Sequence, residues 1–176
     1  MRFEFPEQGE LVRSMIAFKE WDVVCEALEE GRQSLILRKG GIHEGREGFS
    51  FAHEEFVLFP TRFHAQGEFV TVPGVVAKPE WEVGEDVVIT SKVKVVKAVT
   101  LTDWDEVAAL SDQHIWKEEV IRDRFFWEGK GMAAGSIHVA YVEVEKLAEP
   151  IKLTYSKKYG GCRSWVELEL DQSSTL

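Results

Sequence analysis

The stretch Leu35-Ile36-Leu37-Arg38-Lys39-Gly40-Gly41-Ile42-His43-Glu44 decides how this chain is read. A half-solvated strand alternates apolar and polar residues. Three consecutive apolar residues instead suggest a strand covered on both faces. A strand is therefore predicted over residues 33–38, interior in its sheet and packed on the helix before it. The same run then turns into adjacent cations and a glycine pair. Core and polar site meet within ten residues.

The polar density continues through His53-Glu54-Glu55 and Phe59-Pro60-Thr61-Arg62-Phe63-His64. Three of the five histidines fall in this stretch, where a site would have its ligands close at hand. Residues 32–64 carry five Lys/Arg against four Asp/Glu, about +1, in a chain of formal net charge -10. An anion site, a metal site or a base-catalysed reaction is expected here.

Outward from this stretch, Ser14 is placed to cap a helix to about residue 30, with Ala17, Trp21, Val24, Cys25 and Leu28 on one face. Gly31 ends it in the left-handed conformation. Short strands are predicted at 49–51 and 56–59, with Pro60 stopping the second. An irregular excursion follows over 61–84. Residues 86–101 form the longest strand. Val93 and Val95 alternate there with Lys92 and Lys94, and Val96 breaks the alternation, so a bulge is expected. Helices are predicted from Thr102-Asp103 to Leu110 and over 113–127. Strands follow at 137–144, ended before Pro150, and at 164–170. The order lacks a regular βαβ rhythm. The expected fold is α+β: a single domain over 1–171 with a frayed tail at 172–176. Its sheet is curved, mixed or antiparallel, open or closed into a small barrel. An N-terminal helix and a central helix pair flank it.

A pI near 5.0 argues against non-specific coating of DNA or of an anionic membrane. No apolar run approaches a membrane span, and Met1 to Glu7 lacks the apolar core of a signal peptide. Cys25 and Cys162 fit no CxxC pattern and read as free thiols in a cytoplasmic protein.

The strings AFKEW (17–21), LILRKGGIHE (35–44), FVLFPTRFH (56–64), HIWKEEVIRDRFFW (114–127) and YGGCRSWVEL (159–168) resemble a bacterial family known as domain of unknown function 1802. The resemblance covers nearly the whole chain and implies no activity. The strand–helix order also looks like PUA- and ASCH-type barrels, which bind RNA or modified nucleotides. That likeness is architectural, and fold does not imply function.

Four clusters are candidates, each with a plain alternative. Arg38-Lys39-Gly40-Gly41 suits a phosphate or carboxylate, or is a solvated turn. His43, His53, Glu54 and His64, joined by Glu44 and Glu55, offer ligands for a divalent metal. Their spacing matches no established motif, and surface histidines are the alternative. On a helix, His114, Glu118 and Arg122 would share a stripe, giving a base and its orienting carboxylate, or a surface ion pair. Trp104 or Trp116 would stack a base, or pack the core. Tyr159-Gly160-Gly161-Cys162-Arg163 reads as a pocket rim, with Cys162 a candidate nucleophile beside Arg163.

Two functions follow. The preferred one is a binding module for an anionic small molecule, nucleotide or nucleic-acid segment, built on Arg38, Lys39, His43, Arg62, His64 and Trp116. Arg38 is expected to form a bidentate contact, so that Arg38→Lys weakens binding while thermal stability stays nearly unchanged. The alternative is a metal-dependent hydrolase or nuclease, whose cofactor would be a divalent ion and whose developing charge Lys39 would stabilise.

Overall fold

The computed structural model describes residues 13–39, 50–129 and 134–170. In chain order its elements are strand β1 (Arg13–Trp21), helix α1 (Asp22–Glu29), β2 (Leu35–Arg38), β3 (Glu55–Thr61), β4 (Asp86–Leu101), α2 (Trp104–Ala108), α3 (Glu118–Phe126), β5 (Ile137–Thr154) and β6 (Trp165–Leu170). Short 3-10 turns occupy Gln66–Glu68, Ser111–Gln113 and Lys157–Tyr159. The strands form one mixed sheet in the order β2-β5-β4-β3-β1-β6, open among the described residues. β1 and β3 are its parallel pair. The expected α+β single domain is thus present, with an open sheet.

The helix predicted from Ser14 is instead a strand as far as Trp21. Adjacent Ala17 and Phe18 are both fully buried, in two separate core clusters on opposite faces. A strand paired on both sides buries successive residues this way, and its apolar run mimics one face of a helix. Helix α1 begins at Asp22 and buries Val23, Val24, Cys25, Ala27 and Leu28. Gly31 follows at φ 72°, as expected for a helix end.

Leu35, Ile36 and Leu37 are fully buried, but β2 lies at the edge of the sheet, not in its interior. The segment 113–116 covers the free edge. Ser34 N donates to Gln113 O at 3.1 Å, and the buried Gln33 bridges the two segments. Its Nε2 donates to Leu35 O and its Oε1 accepts from Ile115 N. A covered edge needs the same apolar run as an interior strand.

Both prolines expected to end strands lie inside them. Pro60 sits in β3 opposite Glu20. There β4 no longer pairs with β3, since its register covers Glu55 to Val57, so the missing N–H breaks no ladder bond. Pro150 sits in a bulge of β5: Ile89 pairs with Ile151 and Ser91 with Lys146. The bulge expected near Val96 is a register shift between Val95 and Lys97, and Val96 is exposed. β4 runs over the predicted 86–101, and Asp103 caps α2 by accepting from Asp105 N at 2.8 Å. Phe51 is outside any strand, and Phe49 lies outside the described residues.

The first half of β4 and the second half of β5 pack into one cluster with Phe59 and Leu168. Their other halves pack into the cluster of α1, β2 and α3. The ribbon therefore bends across the molecule and leaves the ends of β1 and β3 facing a hollow.

Candidate functional site

Parallel β1 and β3 end side by side, with Trp21 opposite Thr61. Three walls rise around these ends: the end of β2, the excursion after β3, and the connector from β5 to β6. They enclose a cavity of about 410 Å³. Among the described residues Lys19, Arg38, Arg62 and Arg163 line it, with Glu80 as the lining carboxylate. Phe59 and Tyr159 are buried at its base, while Trp21, Trp81 and Tyr155 are half-buried in its walls.

Each cation has a partner in the protein, a backbone carbonyl, a ring or a carboxylate; Arg62 Nη1 lies 3.8 Å from Glu85 Oε1. Arg38 Nη2 donates to Lys19 O at 2.6 Å and lies 3.6 Å from Glu20 Oε2. Glu20 is 1% exposed, and its Oε1 accepts from Trp21 N at 2.9 Å. Lys19 Nζ donates to Gly161 O at 2.6 Å. Burial lowers the Lys19 pKa, and the nearby Arg163 and Arg38 push it further down against an opposing effect of Cys162. Gly161 has φ 80°, a conformation other residues adopt only with strain. The Arg62 guanidinium sits 3.3 Å from the centroid of the Trp81 ring. Trp81 Nε1 donates to Pro60 O at 2.8 Å, which fixes that ring. The Nε atoms of Arg38 and Arg62 are buried without a hydrogen-bond partner. Beneath the site, Arg124 packs 4.1 Å over Trp116, and burial lowers its pKa to about 10.

A family model described as "Domain of unknown function (DUF1802)" matches residues 17–175. The chain belongs to this family. No curated protein matches it. Among solved structures the DUF1802 chain is similar to the crystal structure of ASCH from Zymomonas mobilis, at 11% identity and a TM-score of 0.51. That match covers 90% of this chain and 88% of the other. A serine-to-alanine mutant of the same protein matches at 10% identity and a TM-score of 0.52, over 88% and 87% of the two chains. The architectural likeness to ASCH-type domains seen in the strand–helix order is therefore a likeness of fold.

In this DUF1802 domain the sequence candidates are dispersed. Arg38 and Arg62 meet in the cavity. Lys39 points elsewhere: its Nζ donates to Phe125 O and Ser136 O, tying the end of α3 to the start of β5. His43 and Glu44 lie outside the described residues. His64 lines a separate hollow of about 440 Å³ with Lys117 and Thr71. His53 packs edge-on against Trp165. Among the described residues no three His, Cys, Asp or Glu are grouped to hold a metal, so His53, Glu54, Glu55 and His64 do not form the centre expected of them. Trp116 is buried in the core against Trp21, and Trp104 packs on Phe125. Lys19, Trp21, Trp81 and Tyr155 were not expected in the site. The rim predicted around Gly160-Gly161, with Cys162 and Arg163, does line it.

The helix predicted over 113–127 starts only at Glu118, after an extended segment in which Trp116 bridges Val70. His114 and Glu118 therefore share no helical stripe. His114 is buried, and its Nδ1 accepts from Trp116 N at 3.2 Å. Burial lowers its pKa, with Asp112 and the Trp116 bond opposing. The unfolded chain then takes up this proton first, near the ordinary value of about 6.5. Stability contributed by neutral His114 is full above that pH and declines as pH falls through it toward the lowered folded value. His114→Asn keeps an acceptor for Trp116 N and does not titrate. Urea midpoints at neutral and mildly acidic pH should show a smaller acid loss for this variant than for wild type. An equal loss would place the acid sensitivity elsewhere.

Proposed function

We propose that the cavity binds the phosphate backbone of a single-stranded nucleic acid. The observation that carries this is the convergence of Lys19, Arg38, Arg62 and Arg163 on one hollow, in a chain of net charge -10. In a chain of negative net charge, a local group of cations supplies a place where a polyanion is attracted. Guanidiniums supply planar forks suited to phosphate oxygens. The site is a hollow walled by connectors, not a projecting helix or ribbon that would enter a duplex groove, which favours a single strand.

Arg163 tests this with little risk to the fold. It is exposed and donates to Lys158 O. Arg163→Glu is expected to weaken binding of single-stranded oligonucleotides of any sequence alike, and to lower the slope of log affinity against log salt by about one or more. Unchanged affinity and slope would remove Arg163 from the site and the proposal with it.

A further inference from the structure

We infer that the cavity reads one unpaired nucleotide, its base lying on an aromatic platform of Trp81 and Tyr155 and its phosphate at Lys19, Arg38 and Arg163. This rests on the reading of the cavity as a phosphate site and adds the group it recognises beside the phosphate.

The cavity has two chemically different ends. At one, Lys19, Arg38 and Arg163 line the wall together, Arg38 bonded to Lys19 O and Lys19 to Gly161 O. Burial, with the two guanidiniums adding to it, disfavours the charge on the amine. A phosphate placed there relieves that repulsion. At the other end the rings of Trp81 and Tyr155 lie within 24° of parallel, with centroids 6.4 Å apart. Both line the cavity, and both are only half-buried. Both rings also pack against the core cluster of Phe59 and Tyr159, which holds them in place while part of each stays open to the cavity.

The platform is rigid before any ligand arrives. Trp81 is fixed by its bond to Pro60 O and by the Arg62 guanidinium, which covers one face of the ring, so a base would use the other face. The Tyr155 backbone is tied twice: its N donates to Glu85 O at 2.7 Å, and its O accepts from Gly84 N at 3.0 Å. Preorganised rings lose little entropy on binding. Stacking on them tolerates any base, because every base has a flat face. A paired base cannot leave its duplex to reach them without losing its own stacking.

An abasic strand separates this inference from the reading it rests on. An oligonucleotide and an abasic sugar–phosphate strand of equal length carry the same phosphates. Wild type should bind the ordinary strand about tenfold or more tighter than the abasic one, and tighter than a duplex of the same sequence. Tyr155→Leu should bring affinity for the ordinary strand down toward the abasic level. Binding should also quench a part of the tryptophan fluorescence that is missing in Trp81→Phe, a readout that a purely structural role would not give. Equal affinity of wild type for ordinary and abasic strands would overturn the platform while leaving the phosphate site standing. Failure of wild type to bind either strand would overturn both.

Discussion

Leu37→Ala is expected to destabilise the domain by about 2–5 kcal/mol. Leu37 is 0% exposed and belongs to the cluster that includes Val24 and Leu28 of α1. It stands opposite Val139 in the β2–β5 register. The site cannot collapse easily around a smaller side chain. β5 holds one edge of β2, and Gln33, through its bonds to Leu35 O and Ile115 N, holds the other. Both the lost transfer energy and most of the cavity term should therefore appear. Urea unfolding followed by circular dichroism measures this directly. A loss below about 0.5 kcal/mol would mean that β2 is peripheral, since surface changes fall in that range.

Arg38→Ala should also cost stability, and this revises the expectation that Arg38 serves binding alone. Its guanidinium holds Lys19 O and faces the buried carboxylate of Glu20. Removing one partner of a buried pair costs about 3–5 kcal/mol where nothing else faces the charge. Arg124 also senses Glu20, and the Arg38 side chain is 20% exposed, so a loss nearer about 2–3 kcal/mol is expected. Adding Glu20→Gln should recover part of that loss, because the uncompensated charge is then gone. A double-mutant cycle reads the coupling. Additive effects would show that Arg38 and Glu20 do not interact. Arg38→Lys keeps the charge but loses the fork, so it should lower thermal stability as well as affinity.

The elements legible in the sequence were those whose local pattern has one reading. The alternation of Lys92-Val93-Lys94-Val95 located β4 and its bulge. Asp103 and Gly31 marked helix ends by capping chemistry alone. β1 was misread because a doubly buried strand and an amphipathic helix both place Ala17 and Trp21 in apolar surroundings. Lys19-Glu20 held the missing signal: two charged residues that continue an apolar run suggest the end of a buried strand opening on a site. Arg38 and Arg62 were found because they lie in one dense stretch. Trp81, Tyr155 and Arg163 were not joined to them, because they meet only through the pairing of β1 with β3 and β6. No local pattern encodes that register. Arg38 and Lys39 are adjacent at the end of a strand and so point to opposite faces, which leaves one of them for the pocket. Arg38 lines it, while Lys39, also named among the site residues, reaches the end of α3.

Whether the cavity holds a phosphate backbone is measured by an equilibrium titration of the wild-type protein with a labelled single-stranded oligonucleotide at several salt concentrations. With three or four cations engaging phosphates, log affinity should fall with log salt at a slope of about -2 to -3. Arg163→Glu should flatten that slope. Undetectable binding at low salt, or an affinity that does not change with salt, would contradict the account of this cavity as a phosphate-backbone site.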